Sequence, residues 1–400
     1  MVRELPPVPA DGRLVLLAAG KASPRMVEVA EAHYASSPGR QRISGLAVTA
    51  ADIERPFRFV DLQVASHPLP DERSEAAARR MLETVAGLSE NDQVVMLLSG
   101  GASALLCAPA AGITLAEKRA TTEALFDAGA PIDDINTVRK FISAIKGGKL
   151  AQACWPAKLR TLTVSDVVGD DPAVIGSAPT YPSNVTADQV RAIVARYTLE
   201  LPRPVLEFID NAPSSPVDAR LPETDYVIIA RPRDALQAAA DCAKSHGYDV
   251  EVLGDDIKGE ASRQAESLAQ AIHAAENGNH KLALLSGGEV TVSFTPESRD
   301  GYGGPNREFA LALAKALERD KVSAIIADTD GLDGQTGANG PVAGALVDST
   351  TISRARAEGL DPEDYLQRHD AGSFFELLGD EIVTGLTATN VNDFRMVLIN

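Results

Sequence analysis

Short apolar runs alternate with amphipathic segments along most of the chain. Apolar runs of strand length predict β-strands at residues 14–19, 45–49, 63–66, 94–98, 161–164, 226–230, 249–253, 282–285, 290–294, 323–327 and 396–399. Apolar residues at helical spacing predict helices at residues 71–88, 114–127, 133–153, 190–197, 233–245, 260–277, 303–317 and 374–378. Strands that alternate with helices in this way predict α/β layers with mostly parallel sheets.

A break in this pattern divides the chain in two. Residues 202–224 contain five prolines and little periodicity, so we place a domain boundary there. The 400 residues of the chain also exceed what one hydrophobic core usually holds. The pattern therefore predicts two α/β domains.

Two predicted strands run directly into serine and glycine. Strand 94–98 is followed by Ser99, Gly100, Gly101, Ala102 and Ser103, and strand 282–285 is followed by Ser286, Gly287 and Gly288. Glycine lets backbone N–H groups approach an anion closely, and a following helix N-terminus adds partial positive charge. One such loop is more often a tight turn without a ligand, but its repetition here favours two anion-binding loops.

Basic residues lie where they could support these loops. Lys21 follows Gly20 at the end of strand 14–19, whose end is expected to face the same crevice as Ser99. A lysine in that position is either a solvated surface group or a point charge for phosphate. Arg139 and Lys146 share one face of the predicted helix 133–153.

Aspartates follow two other predicted strands. Asp166, Asp170 and Asp171 come after strand 161–164, and Asp328, Asp330 and Asp333 come after strand 323–327. A single aspartate in such a place is more often a turn former or a helix cap. Two acidic loops beside two glycine loops instead favour a hard cation with oxygen ligands, and we predict Mg²⁺.

The composition restricts the partners of the protein. Its net charge is −18, with 56 acidic and 38 basic residues, which disfavours nucleic acid and anionic membranes. No segment approaches the roughly 20 apolar residues that span a bilayer. Cys107, Cys154 and Cys242 lie far apart without metal-ligand spacing, as expected in a reducing cytosol. We therefore expect a cytoplasmic protein whose substrates are small molecules, either a monomer or a homodimer.

Several common catalytic motifs are absent from the sequence. The segment upstream of Gly20 and Lys21 lacks the first glycine of a Walker P-loop, because Val15 stands there. No Gly-x-Gly-x-x-Gly opens a βαβ unit, and no Gly-x-Ser-x-Gly elbow is present. These absences disfavour a Walker-type nucleotide site, a nicotinamide site and a serine hydrolase.

Taken together, the motifs resemble the class II glycerate kinases, the glycerate 2-kinases with a C-terminal MOFRL domain. The resemblance covers residues 14–399. It rests mainly on the Ser99 loop, on Arg139 to Ala151 and on Ser165 to Asp170. Further matching motifs are Gly20-Lys21-Ala22, His67-Pro68, Ser286 to Glu289, Gly303 to Glu308, Thr329 to Gly334 and Thr389 to Asp393. One departure stands out: the family arginine of the Gly303–Glu308 motif falls on Pro305, and Arg307 is the nearest substitute.

The resemblance implies ATP-dependent phosphorylation of D-glycerate at its 2-hydroxyl, with Mg²⁺. It also implies a Rossmann-like domain over residues 1–215, a smaller MOFRL-type α/β domain over residues 222–400 and a cleft between them. We expect Lys21, Asp166 and Arg307 to be catalytic and Asp166 and Asp330 to position Mg²⁺ or accept the hydroxyl proton. The expected anion-binding residues are Ser99, Gly100, Gly101, Ser103, Lys146, Ser286, Gly287, Gly288, Asn306 and Asn390.

Two other functions remain open at this point. Relatives of the family have been labelled hydroxypyruvate reductases, which would require NAD(P)H. A non-catalytic sensor of sugar acids or nucleotides is the other alternative, and the proline at position 305 is its main support.

Overall fold

The computed structural model describes residues 1–50, 57–214, 221–275, 281–294, 301–317, 322–337 and 340–400. The chain forms two compact units. The first unit comprises Met1–Ser165 and Asp170–Ile229, and the second comprises Asp166–Gly169 and Ala230–Asn400. The segment 215–220, where the predicted domain boundary falls, lies outside the described residues.

A six-stranded sheet forms the centre of the first unit. Its strands are β1 (Leu14–Ala19), β2 (Ile43–Thr49), β3 (Asp61–Val64), β4 (Gln93–Leu98), β5 (Lys158–Val164) and β6 (Thr224–Ala230), in the order β3-β2-β1-β4-β5-β6. The pairings among the first five strands are parallel. Every residue of β1 is buried, as expected of a central parallel strand covered on both faces. The prediction of a parallel α/β layer is confirmed for this part of the chain.

Helices cover this sheet and extend the unit. They are α1 (Ser23–Tyr34), α2 (Glu72–Thr84), α3 (Ala102–Leu105), α4 (Leu115–Asp127), α5 (Ile132–Phe141), α6 (Lys149–Cys154), α7 (Ala187–Arg196) and α8 (Arg203–Asn211). The beginning of α4 follows from the sequence alone, because Thr114 and Glu117 form a reciprocal capping box. Helix α8 lies within the stretch for which irregular structure is predicted. A helix can form there because its prolines occupy the first turn, where they cost no hydrogen bond.

The predicted helical region 133–153 is interrupted at Gly147 and Gly148, as their presence in the sequence indicates, but the break is longer than these two residues. Helix α5 ends at Phe141 and α6 begins only at Lys149. Gly147 and Gly148 between them have φ angles of +64° and +82°. Their N–H groups donate to the carbonyls of Ser177 and Ala178, at 3.1 and 2.7 Å. The two glycines therefore dock another loop of this unit against the end of α5.

The second unit is built on a mixed sheet, which corrects the expectation of mostly parallel pairing. Its strands are β7 (Asp249–Glu260), β8 (Leu282–Thr291), β9 (Val322–Asp328), β10 (Gly344–Asp348), β11 (Glu381–Ile382) and β12 (Asp393–Ile399), in the order β11-β10-β9-β12-β8-β7. Among the described residues of this sheet, β7 and β8 pair in parallel and the other pairings are antiparallel. The last strand, β12, inserts between β8 and β9 in the opposite direction to both, and β10 runs opposite to its neighbours β9 and β11.

One face of this sheet packs against the largest cluster of buried apolar residues in the unit. The helices are α9 (Pro232–Ser245), α10 (Ala261–Ala275), α11 (Pro305–Ala316), α12 (Thr351–Ala357), α13 (Pro362–Gln367) and α14 (Ala371–Leu378). Residues 306–314 of α11 are all buried, so this helix crosses the core itself. No helix among the described residues combines the length and the apolarity needed to cross a membrane.

Candidate functional site

The loops after β1 and β4 meet, as predicted from the parallel arrangement of the two strands. The N–H of Lys21 donates to the carbonyl of Gly100 at 2.8 Å, and the N–H of Ala22 donates to Oγ of Ser99 at 3.0 Å. A Cβ atom on Gly20 would lie only 2.2 Å from that Oγ, so only glycine fits there. Ser99 is fully buried, and its hydroxyl therefore ties the two loops together rather than facing solvent.

The glycines of the Ser99 loop supply unused backbone donors. Neither Gly100 nor Gly101 donates its N–H to a backbone carbonyl of the described residues. Gly101 has a φ of +81°, and a Cβ there would lie 3.0 Å from Cδ2 of His67 and 3.4 Å from Cγ of Lys21. The loop is thus flanked by an imidazole and a lysine side chain, an arrangement suited to an anion.

Ser103 is the meeting point of two basic side chains and a second serine. Its Oγ lies 2.9 Å from Nη2 of Arg139, 3.0 Å from Nζ of Lys146 and 2.7 Å from Oγ of Ser177. When both basic groups donate, they fill the two lone pairs of the Ser103 hydroxyl, and its proton is directed to Ser177. This orientation leaves the Ser177 proton available for a ligand. Arg139 and Lys146 thus both reach the Ser99 loop, but not from one face of a single helix as predicted, because Lys146 lies between α5 and α6.

Arg139 and Lys146 have no carboxylate partner in the described part of the chain. Lys146 donates to Ser103, and Arg139 donates to Ser103 and Asn136. Lys146 is 1 % exposed, and burial lowers its pKa well below the ordinary value, an effect that the neighbouring Arg139 cation increases. Burial likewise lowers the pKa of Arg139. A buried cation without a carboxylate is costly, and an anionic ligand would offset that cost.

The other lysines of this region have a structural role instead. Lys118 donates from Nζ to the carbonyls of Arg139 and Ile142, at 3.1 and 3.0 Å. Lys149 donates from Nζ to the carbonyls of Lys140, Phe141 and Ser143. These two ammonium groups therefore cap the C-terminal end of α5.

The expectation of a second anion-binding loop at Ser286 is wrong. Strand β8 does not end at Leu285 but continues through Ser286, Gly287 and Gly288 to Thr291. Ser286 pairs with Arg395 and Gly288 pairs with Asp393 in the adjacent strand β12. The strand continues because the glycines admit a neighbouring backbone: a Cβ on Gly288 would lie 2.1 Å from the carbonyl oxygen of Ile257. Their backbone groups belong to the sheet and form no cradle.

The structure also corrects the expected roles of Arg307 and Asn306. Arg307 is 0 % exposed, and its guanidinium donates to the carboxylates of Asp333 and Glu381, at 3.2 and 3.0 Å, and to the carbonyls of Asp333 and Gln335. Burial alone would lower the pKa of Arg307, but the interactions with Asp333 and Tyr302 together outweigh it and the net shift is upward. Asn306 is 2 % exposed and donates from Nδ2 to Asp393 at 2.6 Å. Both side chains therefore hydrogen-bond within the second unit.

Pro305 fits its position in the fold. It opens α11 at a point where a backbone N–H has no partner inside the helix. The N–H groups of the next two residues, Asn306 and Arg307, donate to the Asp333 carboxylate at 2.8 and 2.9 Å. Asp333 is therefore a buried cap of α11 and no metal ligand.

Asp166 is held by residues more than 220 positions away in the sequence. Asn390 donates from Nδ2 to Oδ2 of Asp166 at 3.1 Å, and Asn392 donates from Nδ2 to its carbonyl oxygen. Asn392 adopts a φ of +63°, which is unusual for a residue other than glycine. The carbonyl of Asn392 accepts from both the N–H and the hydroxyl of Thr329. This bonding brings Asp166, Asn390 and the loop that carries Asp330 into one cluster of the second unit.

The carboxylate oxygens of this cluster are ligands of the type that magnesium prefers. Asp330 is 5 % exposed, and its Oδ1 accepts from the N–H of Leu332, so it also stabilises its own turn. No group of three or more His, Cys, Asp or Glu side chains with metal-binding geometry occurs within the described ranges. Mg²⁺ commonly uses one or two carboxylates and completes its shell with water and phosphate oxygens. Asp166 and Asp330 supply carboxylates of that kind.

Ser177, Lys118 and Asn392 are residues of these clusters that sequence reasoning does not single out. Ser177 stands in a segment without periodicity, and its contact with Ser103 spans 74 positions. Lys118 looks like any lysine on an amphipathic helix. Asn392 is the exception, because it belongs to the Thr389–Asp393 motif and could have been found there.

Comparisons with known proteins agree with this geometry. Residues 3–210 match the domain of unknown function DUF4147, and residues 282–393 match the MOFRL family. The D-glycerate 2-kinase of Thermotoga maritima is 36 % identical over 97 % of this chain and 91 % of its own length. A protein named hydroxypyruvate reductase from Agrobacterium vitis is 42 % identical over 100 % of this chain and 90 % of its own. The crystal structure of glycerate kinase from Thermotoga maritima superposes with a TM-score of 0.87, covering 98 % of this chain and 92 % of that one.

Proposed function

Because the chain belongs to the glycerate 2-kinase family with DUF4147 and MOFRL domains, we propose that it phosphorylates the 2-hydroxyl of D-glycerate with ATP. The products are 2-phosphoglycerate and ADP. The observation that carries the proposal is the group of basic side chains around Ser103, buried without a carboxylate partner in a protein of net charge −18. Such a group is suited to an anionic substrate.

The residues of the first unit act on the anions of the reaction. The N–H groups of Gly100 and Gly101 and the hydroxyl of Ser177, which accepts the proton of Ser103, hold an oxyanion, either a phosphate or the carboxylate of glycerate. Arg139 and Lys146 orient the Ser103 hydroxyl, and through it the Ser177 hydroxyl. Lys21 offsets the negative charge on the phosphoryl group as it is transferred. Phosphoryl transfer needs positioning and charge neutralisation of this kind more than covalent catalysis.

The residues of the second unit provide the oxygen ligands. Asp166, oriented by Asn390, and Asp330 would hold Mg²⁺. When bound, Mg²⁺ neutralises phosphate charge and fixes the phosphate oxygens. Asp166 is also suited to accept the proton of the substrate hydroxyl.

One set of assays tests the proposal against its alternatives. With ATP, Mg²⁺ and D-glycerate, we expect the release of ADP and the formation of 2-phosphoglycerate. Oxidation of NADH by hydroxypyruvate without any kinase activity would make the protein a reductase, the name carried by the relative from Agrobacterium vitis. A ligand-induced rise in Tm without turnover in either assay would make it a sensor.

A further inference from the structure

One face of the second sheet is only partly covered by helices. Helix α9 packs on one half of this face, where its Leu236 and Ala240 contact Leu285 of β8. Met396 of β12 is paired with Leu285 of β8 on one side and with Ile325 of β9 on the other. The side chains of these three residues therefore point to the same face of the sheet. Beside α9, a concavity of about 520 Å³ opens over β9, β11 and β12.

The concavity has an apolar floor and a polar rim. Its floor is formed by Ile325, Ala327, Ile382, Val391 and the aromatic ring of Phe394. Its rim is formed by polar side chains: Arg231, Asp234, Asp328, Thr329, Thr384, Thr387 and Thr389. Ligand sites commonly combine an apolar floor with a few polar groups, and this volume is typical of them. The occupant should therefore have one planar apolar part and one part that carries hydroxyls.

We infer that this concavity binds the adenine base and the ribose of the phosphoryl donor. Phe394 offers an aromatic ring to the base, while the hydroxyl oxygens of Thr384 and Thr387, whose protons go to backbone carbonyls, can accept from the ribose hydroxyls. D-Glycerate does not match the site, because a small anion would leave the apolar floor uncovered. The inference rests on the proposed function, since that function makes a nucleotide the second substrate.

Hydrogen bonds connect the rim of the concavity to the residues around Asp166 and Asp330 in the same unit. The Thr329 hydroxyl accepts from the N–H of Val391 at 2.8 Å and donates to the carbonyl of Asn392 at 2.8 Å. Asn392 in turn contacts Asp166, and Asp330 directly follows Thr329. A nucleoside bound in the concavity thus has its phosphates on the side of Asp166 and Asp330, where Mg²⁺ is proposed to bind.

The inference can be tested by placing a large side chain on the wall of the concavity, so that it fills the proposed site of the base. Ala235 of α9 is half-buried and lines the concavity, so Ala235→Phe should occupy the space of the base. Ala238→Phe is the matched control, because Ala238 is exposed on the same helix and is not among the lining residues. Thr384→Trp, made at an exposed rim position, narrows the mouth without touching the core.

We expect both lining variants to weaken binding of the non-hydrolysable analogue AMP-PNP by at least about tenfold in titration calorimetry. Ala238→Phe should bind AMP-PNP like the unchanged protein, and the KM for D-glycerate should stay within about twofold in all three. If the unchanged protein phosphorylates D-glycerate and the lining variants bind AMP-PNP normally, the inference is wrong while the proposed function stands. If the unchanged protein binds AMP-PNP, the lining variants do not, and D-glycerate is never phosphorylated, the proposed function fails and the nucleoside site survives.

Self-association is the competing use of this surface, because Leu346 and Val383 are exposed near it. Light scattering after size-exclusion chromatography separates the two cases. A dimer that becomes a monomer in Ala235→Phe and Thr384→Trp, with AMP-PNP binding intact, would assign the concavity to a second copy of the chain and overturn the nucleoside site.

Discussion

Arg307 and Lys21 are both basic side chains next to glycine-rich segments, yet their surroundings differ. Arg307 is 0 % exposed, and the buried acceptors around it occupy its guanidinium. Lys21 is half-buried, and its side chain runs past Gly101, whose N–H has no backbone acceptor among the described residues. The proposal therefore gives Lys21 a catalytic role and Arg307 a structural one.

Replacing Lys21 with alanine should abolish most activity and leave the fold intact. Loss of one preorganised charge in such a site costs on the order of 100-fold or more in turnover. The measurements are kcat for the formation of ADP and Tm. Arg25→Ala is the control, since Arg25 is exposed and pairs with Glu28 on the surface. Turnover of Lys21→Ala within a few-fold of the unchanged protein would remove Lys21 from the mechanism.

Replacing Arg307 with methionine should act on stability. Removing one partner of a buried ion pair leaves Asp333 and Glu381 with uncompensated charge, which costs about 3–5 kcal/mol. Urea unfolding measures this loss as a lower free energy of unfolding. A stable Arg307→Met protein with a raised KM for either substrate would instead indicate that Arg307 meets the ligand.

The C-terminal end of helix α5 is stabilised by side chains that lie outside the helix. Its C-terminal carbonyls accept hydrogen bonds from the ammonium groups of Lys118 and Lys149, which satisfy acceptors that the helix leaves open. Burial lowers the pKa of Lys118 to about 7 and that of Lys149 to about 8. The end of α5, which carries Arg139 to Ser103, is therefore sensitive to pH.

The stability contributed by Lys118 should rise with pH above neutrality. Between its folded pKa of about 7 and its ordinary value of 10.5, the unfolded chain holds a proton that the folded chain has lost. The free energy of unfolding therefore increases across this window, by up to about 1.4 kcal/mol per pH unit from this group. Urea unfolding at pH 7, 8 and 9 measures the slope. Lys118→Met should have a smaller slope, and equal slopes in the two proteins would contradict the low pKa.

At the scale of the whole molecule, acidic charge dominates. The 56 acidic residues exceed the 38 basic ones by 18, so like charges repel over much of the surface. Many of the surface ion pairs are exposed, and pairs of that kind contribute little stability.

Moderate salt should therefore stabilise the protein by screening this repulsion. Between 10 and 300 mM NaCl we expect Tm to rise by about 2–4 °C, corresponding to about 1 kcal/mol. Sucrose at equal osmolality serves as the uncharged control. A Tm that falls with NaCl would mean that attractive ion pairs outweigh the excess negative charge.

Much of the secondary structure could be predicted from local pattern. The continuous apolar run of β1 and the capping box at Thr114 are confirmed because burial and capping act within a few residues. The break in the predicted helix 133–153 could not be predicted in detail, since Gly147 and Gly148 are held by the carbonyls of Ser177 and Ala178. Strand β8 likewise continues through Ser286 only because β12 and β7 pair with it.

By itself, the sequence determined the alternating α/β pattern, the glycine loop after β4 and the residues that identify the family, because these depend on neighbours along the chain. Tertiary structure alone decided which charged residues are paired with carboxylates. Arg307 and Lys146 look alike in the sequence, but one is enclosed by Asp333 and Glu381 and the other by Ser103, with no carboxylate among its described partners. The physical reason is that burial and counter-charge set the fate of an ionised group, and both are supplied by residues far away in the chain.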